Sequence, residues 1–307
     1  VSFWVSGQQL AIWRKQARQA AIALEISPDE VDWLLQIWTD VDKLSLRLGS
    51  FESRSQIPIP QSWSVLNELW QTRLTENCPI QYLAGVSPWR DFVLKVSPAV
   101  LIPRPETELI IDWLSQEKAI NPELNQGNWV DLGTGSGAIA LGLARCFPQA
   151  KIFAVDTSLD ALAIAQENAQ RYGLSDRIEF FHGSWWTPLA RFQGQIQGMI
   201  SNPPYIPSSM IAGLQPEVTQ HEPHLALDGG EDGLVAVRHL VETAPDYLVS
   251  GGLWLVEIMA GQAPLVAELL ENQGQYQGIQ LLKDLAGIER FVVAYRIDIS
   301  RNQNCID

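Results

Sequence analysis

The densest chemistry in the sequence lies at Ser201-Asn202-Pro203-Pro204-Tyr205. Two consecutive prolines remove two backbone donors and fix two φ angles, so their carbonyls are free and rigidly aimed. Asn202 adds a side-chain acceptor and Tyr205 a flat ring. Such a set suits a planar NH2 group: the amide and carbonyl oxygens accept its hydrogens while the ring packs on its face. A second constellation is Val130-Asp131-Leu132-Gly133-Thr134-Gly135-Ser136-Gly137. Three glycines at alternate positions let the backbone turn tightly and approach a ligand closely. Ala138 stands where a dinucleotide fingerprint would place its third glycine, so the spacing departs from the pyrophosphate-binding form. Asp156, in FAVDTS, follows the loop by about 20 residues, the separation at which an acid reaches ribose hydroxyls. Its alternative is to cap the next helix, a place that Ser158 can also fill. Loop and acid together point to an adenosine-containing ligand without demanding a phosphate.

Other groups carry less. His221-Glu222-Pro223-His224 is not H-E-x-x-H, and Pro223 disfavours a helix, so no metal site is expected. There is no G-x-S-x-G nucleophile elbow. Cys146 sits inside an apolar helical stretch and is expected to pack. Arg104 and Glu106 either line the substrate approach or fix a loop and open the next helix.

The elements that must hold these residues change character along the chain. Residues 1–88 read as helical. In AIWRKQARQAAIALEI, Ile12, Ala20, Ala23 and Leu24 fall near one face, away from Arg14, Lys15 and Arg18. Ser27-Pro28-Asp29-Glu30 is a helix start, with Ser as N-cap, Pro at the first position and acids in the first turn. IPIPQSW at 57–63 is a break, followed by a helix over 65–74. Residues 80–101 read as a β connector, with DFVLKV alternating between Pro88 and Pro98. Beyond it, short apolar runs at 128–133, 151–156, 177–183, 198–201 and 252–258 alternate with helical stretches. That order implies a mostly parallel sheet covered on both faces, with its ligand beyond the carboxyl ends of the strands. The polar tail ISRNQNCID is expected to fray.

Composition narrows the function. The 307 residues are 18% charged and 46% apolar, enough to bury a real core in about two domains. A formal net charge of −14 disfavours a general nucleic-acid binder. Residues 1–88 carry seven of the 21 basic and nine of the 35 acidic side chains and are nearly neutral. Their Arg14/Lys15/Arg18 cluster is either a solvated helix face or a docking surface for a macromolecule. The three cysteines, Cys78, Cys146 and Cys305, form no disulfide framework and fit a reducing cytosol. No apolar run reaches the roughly 18 residues of a membrane span. VSFWVSGQQL lacks the features of a signal peptide, and Val1 in place of Met leaves the native start open. A cytoplasmic protein is expected.

The glycine loop, Asp156 and the Asn-Pro-Pro-Tyr element together resemble the class I S-adenosylmethionine-dependent methyltransferases that act on planar nitrogen. Three further segments narrow the resemblance: Leu101-Ile102-Pro103-Arg104-Pro105-Glu106-Thr107-Glu108; Glu222-Pro223 with Ala226-Leu227-Asp228-Gly229-Gly230 and Asp232-Gly233-Leu234; and Lys283 to Arg290, KDLAGIER. The set resembles the HemK/PrmC family, the peptide chain release factor glutamine methyltransferases, over roughly residues 80–296. The resemblance implies an α/β, Rossmann-like methyltransferase domain over 102–297. It also implies a small helical N-terminal domain over 1–79 that docks the substrate protein, a β connector over 80–101 and a flexible tail over 298–307. It implies S-adenosyl-L-methionine as cofactor, release factors as partners, no direct nucleic acid, no membrane and no metal. The methyl acceptor would be the side-chain nitrogen of the glutamine in a GGQ motif. Gly133, Thr134, Gly135, Ser136 and Gly137 would wrap the cofactor, with Asp156 on its ribose. Trp185 would lie near its adenine or methionine arm, although the adjacent Trp186 competes for that place. Asn202 would touch cofactor and substrate, and Pro203, Pro204 and Tyr205 would complete the substrate pocket. After Val256-Glu257-Ile258 the family often has an aromatic-containing turn. Met259-Ala260-Gly261-Gln262 departs from it, which puts a role for this turn in doubt and leaves the pocket unaffected. The alternatives are an N6-adenine nucleic-acid methyltransferase and a glutamine methyltransferase acting on a ribosomal protein.

Overall fold

Ser6 opens the first helix, Gly7–Ala23, with a reciprocal capping box: its hydroxyl accepts from Gln9 N while the Gln9 side chain reaches back to the Ser6 amide. The computed structural model describes residues 3–297, so the tail at 298–307 and Cys305 lie outside the described residues. Two units are formed, Val1–Val86 with Gln215–His221, and Ser87–Leu214 with Glu222–Asp307. The division falls at 86/87 rather than at 79/80.

In the first unit, helices Gly7–Ala23, Asp29–Trp38 and Trp63–Glu76 bury Leu10, Trp13, Leu34, Trp38 and Trp70 in one core. The buried stripe of the first helix is Leu10, Trp13, Ala17 and Ala21, a three-and-four spacing. The face read from Ile12, Ala20, Ala23 and Leu24 is therefore wrong: Ile12 and Leu24 are exposed. Trp13 decides the matter, because its large ring seats against Trp63 and Trp70 and its Nε1 donates to Asn67 Oδ1. The helical reading also missed a strand pair, β1 (Phe3–Val5) against β2 (Ile57–Ile59). The basic cluster is largely spent within the fold. Arg14 grips Asp32 through two bonds of 2.6 and 2.8 Å, and Arg18 adds a third of 2.9 Å. Buried Arg73 holds Glu30 and, from the second stretch of the unit, Glu217.

The second unit begins inside a hairpin, β3 (Val86–Trp89) and β4 (Phe92–Lys95). The connector expected at 80–101 thus begins with a short helix, Ile80–Ala84, before the hairpin. Next comes the sheet: β5 (Asn128–Leu132), β6 (Lys151–Asp156), β7 (Ile178–His182), β8 (Ile196–Ser201), β9 (Leu248–Glu257), β10 (Tyr276–Lys283) and β11 (Glu289–Arg296). Its strand order is β10-β11-β9-β8-β5-β6-β7. The strands β5 to β9 pair in parallel, and β10 and β11 are antiparallel additions at one edge. Successive side chains of β5 enter opposite cores: Trp129 packs with Phe147 and Ile152, while Val130 and Leu132 pack with Phe153 and Trp254. Both faces are therefore covered, as a parallel sheet requires. The central β5 has β6 on one side and β8 on the other. The strand order reverses between β5 and β8, and a crevice opens at their carboxyl ends.

Candidate active site

The turn after β5 is built by its own backbone. Gly133 N and Thr134 N both donate to Val155 O at 2.9 Å, and Gly137 N donates to Thr134 O. Gly133, Gly135 and Gly137 all have positive φ. At Gly137 a Cβ would press on Ala165, so that glycine serves helix packing. At Gly135 a Cβ would meet nothing within 4 Å, and at Gly133 only the Trp185 ring at 3.8 Å. Those two glycines face open space. Beneath the turn lies Asp131, fully buried, whose Oδ2 accepts from Thr134 Oγ1 at 2.6 Å and from Ala140 N at 3.0 Å. Burial raises its pKa to about 7, against the lowering effect of those two hydrogen bonds.

Asp156 ends β6. Its Oδ2 accepts from Gly135 N and its Oδ1 from Ser158 N, both at 2.9 Å. Ser158 takes the N-cap of the following helix, accepting from Ala161 N. Asp156 is thus not the cap, and each of its oxygens keeps a lone pair. Of the two tryptophans after β7, Trp186 is core, stacked on Tyr247 at 4.4 Å. Trp185 is half-buried, with φ +47°.

These residues line one cavity of about 410 Å³: Gly133, Thr134, Gly135, Ser136, Asp156, Trp185, Asn202 and Pro204, with Arg104 and Thr107 beside them. Gly137, Pro203 and Tyr205 do not line it. Its charged lining is Arg104, Asp156 and Asp160, an acidic balance that suits a cation better than a pyrophosphate.

Asn202, at the end of β8, donates from Nδ2 to Thr107 Oγ1 at 3.3 Å, and its buried Oδ1 has no hydrogen-bond partner. Thr107 Oγ1 donates to Glu257 Oε2 at 2.7 Å, and Tyr205 OH lies 3.4 Å from Glu257 Oε1. Glu257 is fully buried at the end of β9. Burial raises its pKa to about 7, with Glu106 adding to the rise and Thr107, Arg290 and Tyr205 opposing it. Burial and the Glu257 charge push the Tyr205 phenol upward.

The backbone of this element is braced from outside. Ile206 N donates to Leu227 O and Gly229 N to Ile206 O, which ties ALDGG to the strand of the site. Gln262 Nε2 donates to Tyr205 O at 3.1 Å. The Met259–Gln262 turn, whose role the sequence put in doubt, therefore holds the Tyr205 backbone in place. Arg104 both lines the cavity and pairs with buried Glu222 at 2.7 Å, so it joins the two roles weighed for it. His221 Nε2 donates to Glu76 O in the first unit. Thr107, Glu257 and Gln262 were not identified from the sequence. Thr107 and Glu257 lie inside segments that the sequence marks, but nothing in it brings them together.

The sheet order and the crevice at its switch point define an S-adenosylmethionine-type methyltransferase fold. The Methyltransferase small domain family model matches residues 105–240. The crystal structure titled hMettl16 catalytic domain in complex with MAT2A 3'UTR hairpin 6 superposes with a TM-score of 0.53. It covers 86% of this chain and 88% of its own at 14% identity, a likeness of fold alone. A Synechocystis protein named release factor glutamine methyltransferase is 58% identical over 95% of this chain and 97% of its own length. A protein of the same name from Thermosynechococcus vestitus is 46% identical over 94% and 99%. The chain belongs to the release factor glutamine methyltransferase family.

Proposed function

We propose that this protein transfers a methyl group from S-adenosyl-L-methionine to the side-chain amide nitrogen of the GGQ glutamine in peptide chain release factors. The observation that carries the reading is Asn202, which lines a cavity together with the glycine turn and whose buried Oδ1 has no hydrogen-bond partner. An unpaired buried acceptor is costly, and an incoming N–H donor relieves the cost. Family membership supports a glutamine amide as that donor.

The same cavity suits the cofactor. Gly135 leaves open space where a side chain would project, Asp156 offers lone pairs for ribose hydroxyls, and Trp185 offers a ring. The acidic lining favours a cationic ligand. When bound, S-adenosyl-L-methionine supplies an electrophilic sulfonium methyl. The residues of the chain supply position. A glutamine amide is a weak nucleophile because its lone pair is delocalised. Asn202 Oδ1 and the Pro203 carbonyl accept the two amide hydrogens and hold the nitrogen in line; such placement contributes several kcal/mol, up to about 7–11. These bonds strengthen as the nitrogen gains positive charge, which lowers the barrier. The Tyr205 ring packs on the amide face, and the excess proton leaves to solvent. Residues 1–79 dock the body of the release factor. This substrate carries with it a cytoplasmic site of action.

The test is methyl transfer from labelled S-adenosylmethionine to purified release factor, beside the same factor with its GGQ glutamine changed to alanine, and duplex DNA. Label on the unaltered factor alone is expected. Label on DNA, or label that survives the alanine change, contradicts the reading.

A further inference from the structure

Thr107 occupies the N-cap of helix Glu108–Ile120, yet its hydroxyl makes no cap bond. A threonine at that position ordinarily spends its oxygen on the first-turn amides. Here Pro105 O, Glu106 O and Thr107 O accept from the amides of residues 108, 109 and 110, and the hydroxyl is released. It reaches instead across 150 residues of sequence to Glu257. Glu257 is itself an unusual choice for the end of a central strand. A buried carboxyl is costly and contributes nothing to apolar packing. The cation that acts on it is Arg290, which pairs with Asp284 in the turn before β11.

We propose that Thr107 and Glu257 form a positioning relay that fixes which end of the Asn202 amide faces the substrate. The inference rests on the role proposed above for Asn202. A carboxylate only accepts. Ionised Glu257, the form that prevails above about pH 7, therefore accepts a hydrogen bond from Thr107 Oγ1 at Oε2 and one from the Tyr205 hydroxyl at Oε1. With its hydrogen committed, Thr107 Oγ1 presents only lone pairs to Asn202. The Asn202 group facing Thr107 must then be Nδ2, a donor, and Oδ1 is left to accept from a substrate NH2. If the amide flipped, an acceptor would face an acceptor at Thr107 and a donor would face the substrate donors. The relay thus converts an asparagine of either orientation into a committed acceptor. Thr107 and Glu257 are positioning residues, since neither is required to touch the reacting atoms.

The experiment measures kcat, the KM for release factor and the Kd for S-adenosylmethionine in Thr107→Val, Thr107→Ser, Glu257→Gln, Thr107→Val/Glu257→Gln and Asn202→Ala. Thr107→Val keeps the shape and removes the relay. It is expected to lower kcat about 100-fold, as misplacement of a reacting group does, with both binding constants little changed. Thr107→Ser, which retains the hydroxyl, restores most of that loss. Glu257→Gln also lowers kcat, and its cost is smaller in the Thr107→Val background than alone, because the two act through one path. Wild-type kcat in Thr107→Val, or full multiplication of the two losses, overturns the relay. If Thr107→Val does not fold, Glu257→Gln decides by the same split between kcat and binding. An inactive Asn202→Ala beside an active Thr107→Val sinks the relay alone. An active Asn202→Ala sinks the reading of the site beneath it.

Discussion

Gly229 lies so close to Tyr205 that a Cβ added to the glycine would stand 2.8 Å from the tyrosine Cα. The contact gives ALDGGEDGL its physical meaning. The segment passes against the backbone of the substrate element, and Gly233, at φ +77°, does the same against the Tyr205 carbonyl. Gly229→Ala must push this backbone aside. It is expected to cost roughly 1–3 kcal/mol of stability by overpacking and to lower kcat while cofactor affinity stays. Thermal melting and single-turnover rates measure both. Wild-type values would show that the contact is tolerant.

Gly135 makes the opposite case. Its φ is +52° and the space beyond it is open. Gly135→Ala meets little steric resistance from the protein, and left-handed backbone costs about 1–2 kcal/mol. Its methyl would occupy space claimed for the cofactor. Calorimetry is expected to show S-adenosylmethionine binding weakened tenfold or more, about 1.4 kcal/mol. Unchanged affinity would move the cofactor away from this turn.

Asp131 and Glu257 make stability depend on pH in a stated direction. Each is raised to about 7 in the fold, from ordinary values of 3.8 and 4.5. The native state therefore keeps protons that the unfolded chain sheds between about pH 4 and 7. Their contribution is fully present below that window and is lost as pH rises through it. Melting temperature measured from pH 5 to 8 is expected to fall less in Glu257→Gln than in the wild type. Parallel curves would place the titration elsewhere.

Arg73 is 2% exposed and is shared between Glu30 and Glu217, which are themselves 23% and 35% exposed. Removing the guanidinium strands two carboxylates. Arg73→Met is expected to destabilise by roughly 2–3 kcal/mol, below the cost for a fully buried pair because water still screens the acids. Limited proteolysis should then cut near Gln215–His221 sooner than in the wild type. Equal cleavage rates would mean that Arg73 does not secure the segment.

Local signals made the parallel strands legible. Lys151–Asp156 is the strand expected at 151–156, because a short apolar run between turns has few other solutions. The strand β10 is not legible: after buried Tyr276, Tyr276–Lys283 mixes exposed and half-buried residues and carries a register shift between Gln277 and Gln280. The first helix was placed but its inner face was not, because ring packing of Trp13 outweighed the count of aliphatic residues. In the site, Gly133, Asp156 and Asn202 are legible from local patterns, and Trp185 from the family resemblance. The link from Asn202 through Thr107 to Glu257 is not. It spans 95 and 150 residues and exists only after the sheet has assembled.

The most direct measurement follows peptides of a release factor by mass spectrometry after single-turnover reaction with the wild type and with Asn202→Ala, both saturated with S-adenosylmethionine. The wild type is expected to place one methyl group on the GGQ glutamine. Asn202→Ala, with cofactor affinity within about tenfold, is expected to react at least 100-fold more slowly, the scale set by loss of a positioned transition-state contact. Methylation of that glutamine at the wild-type rate by Asn202→Ala would contradict the central role of the buried acceptor.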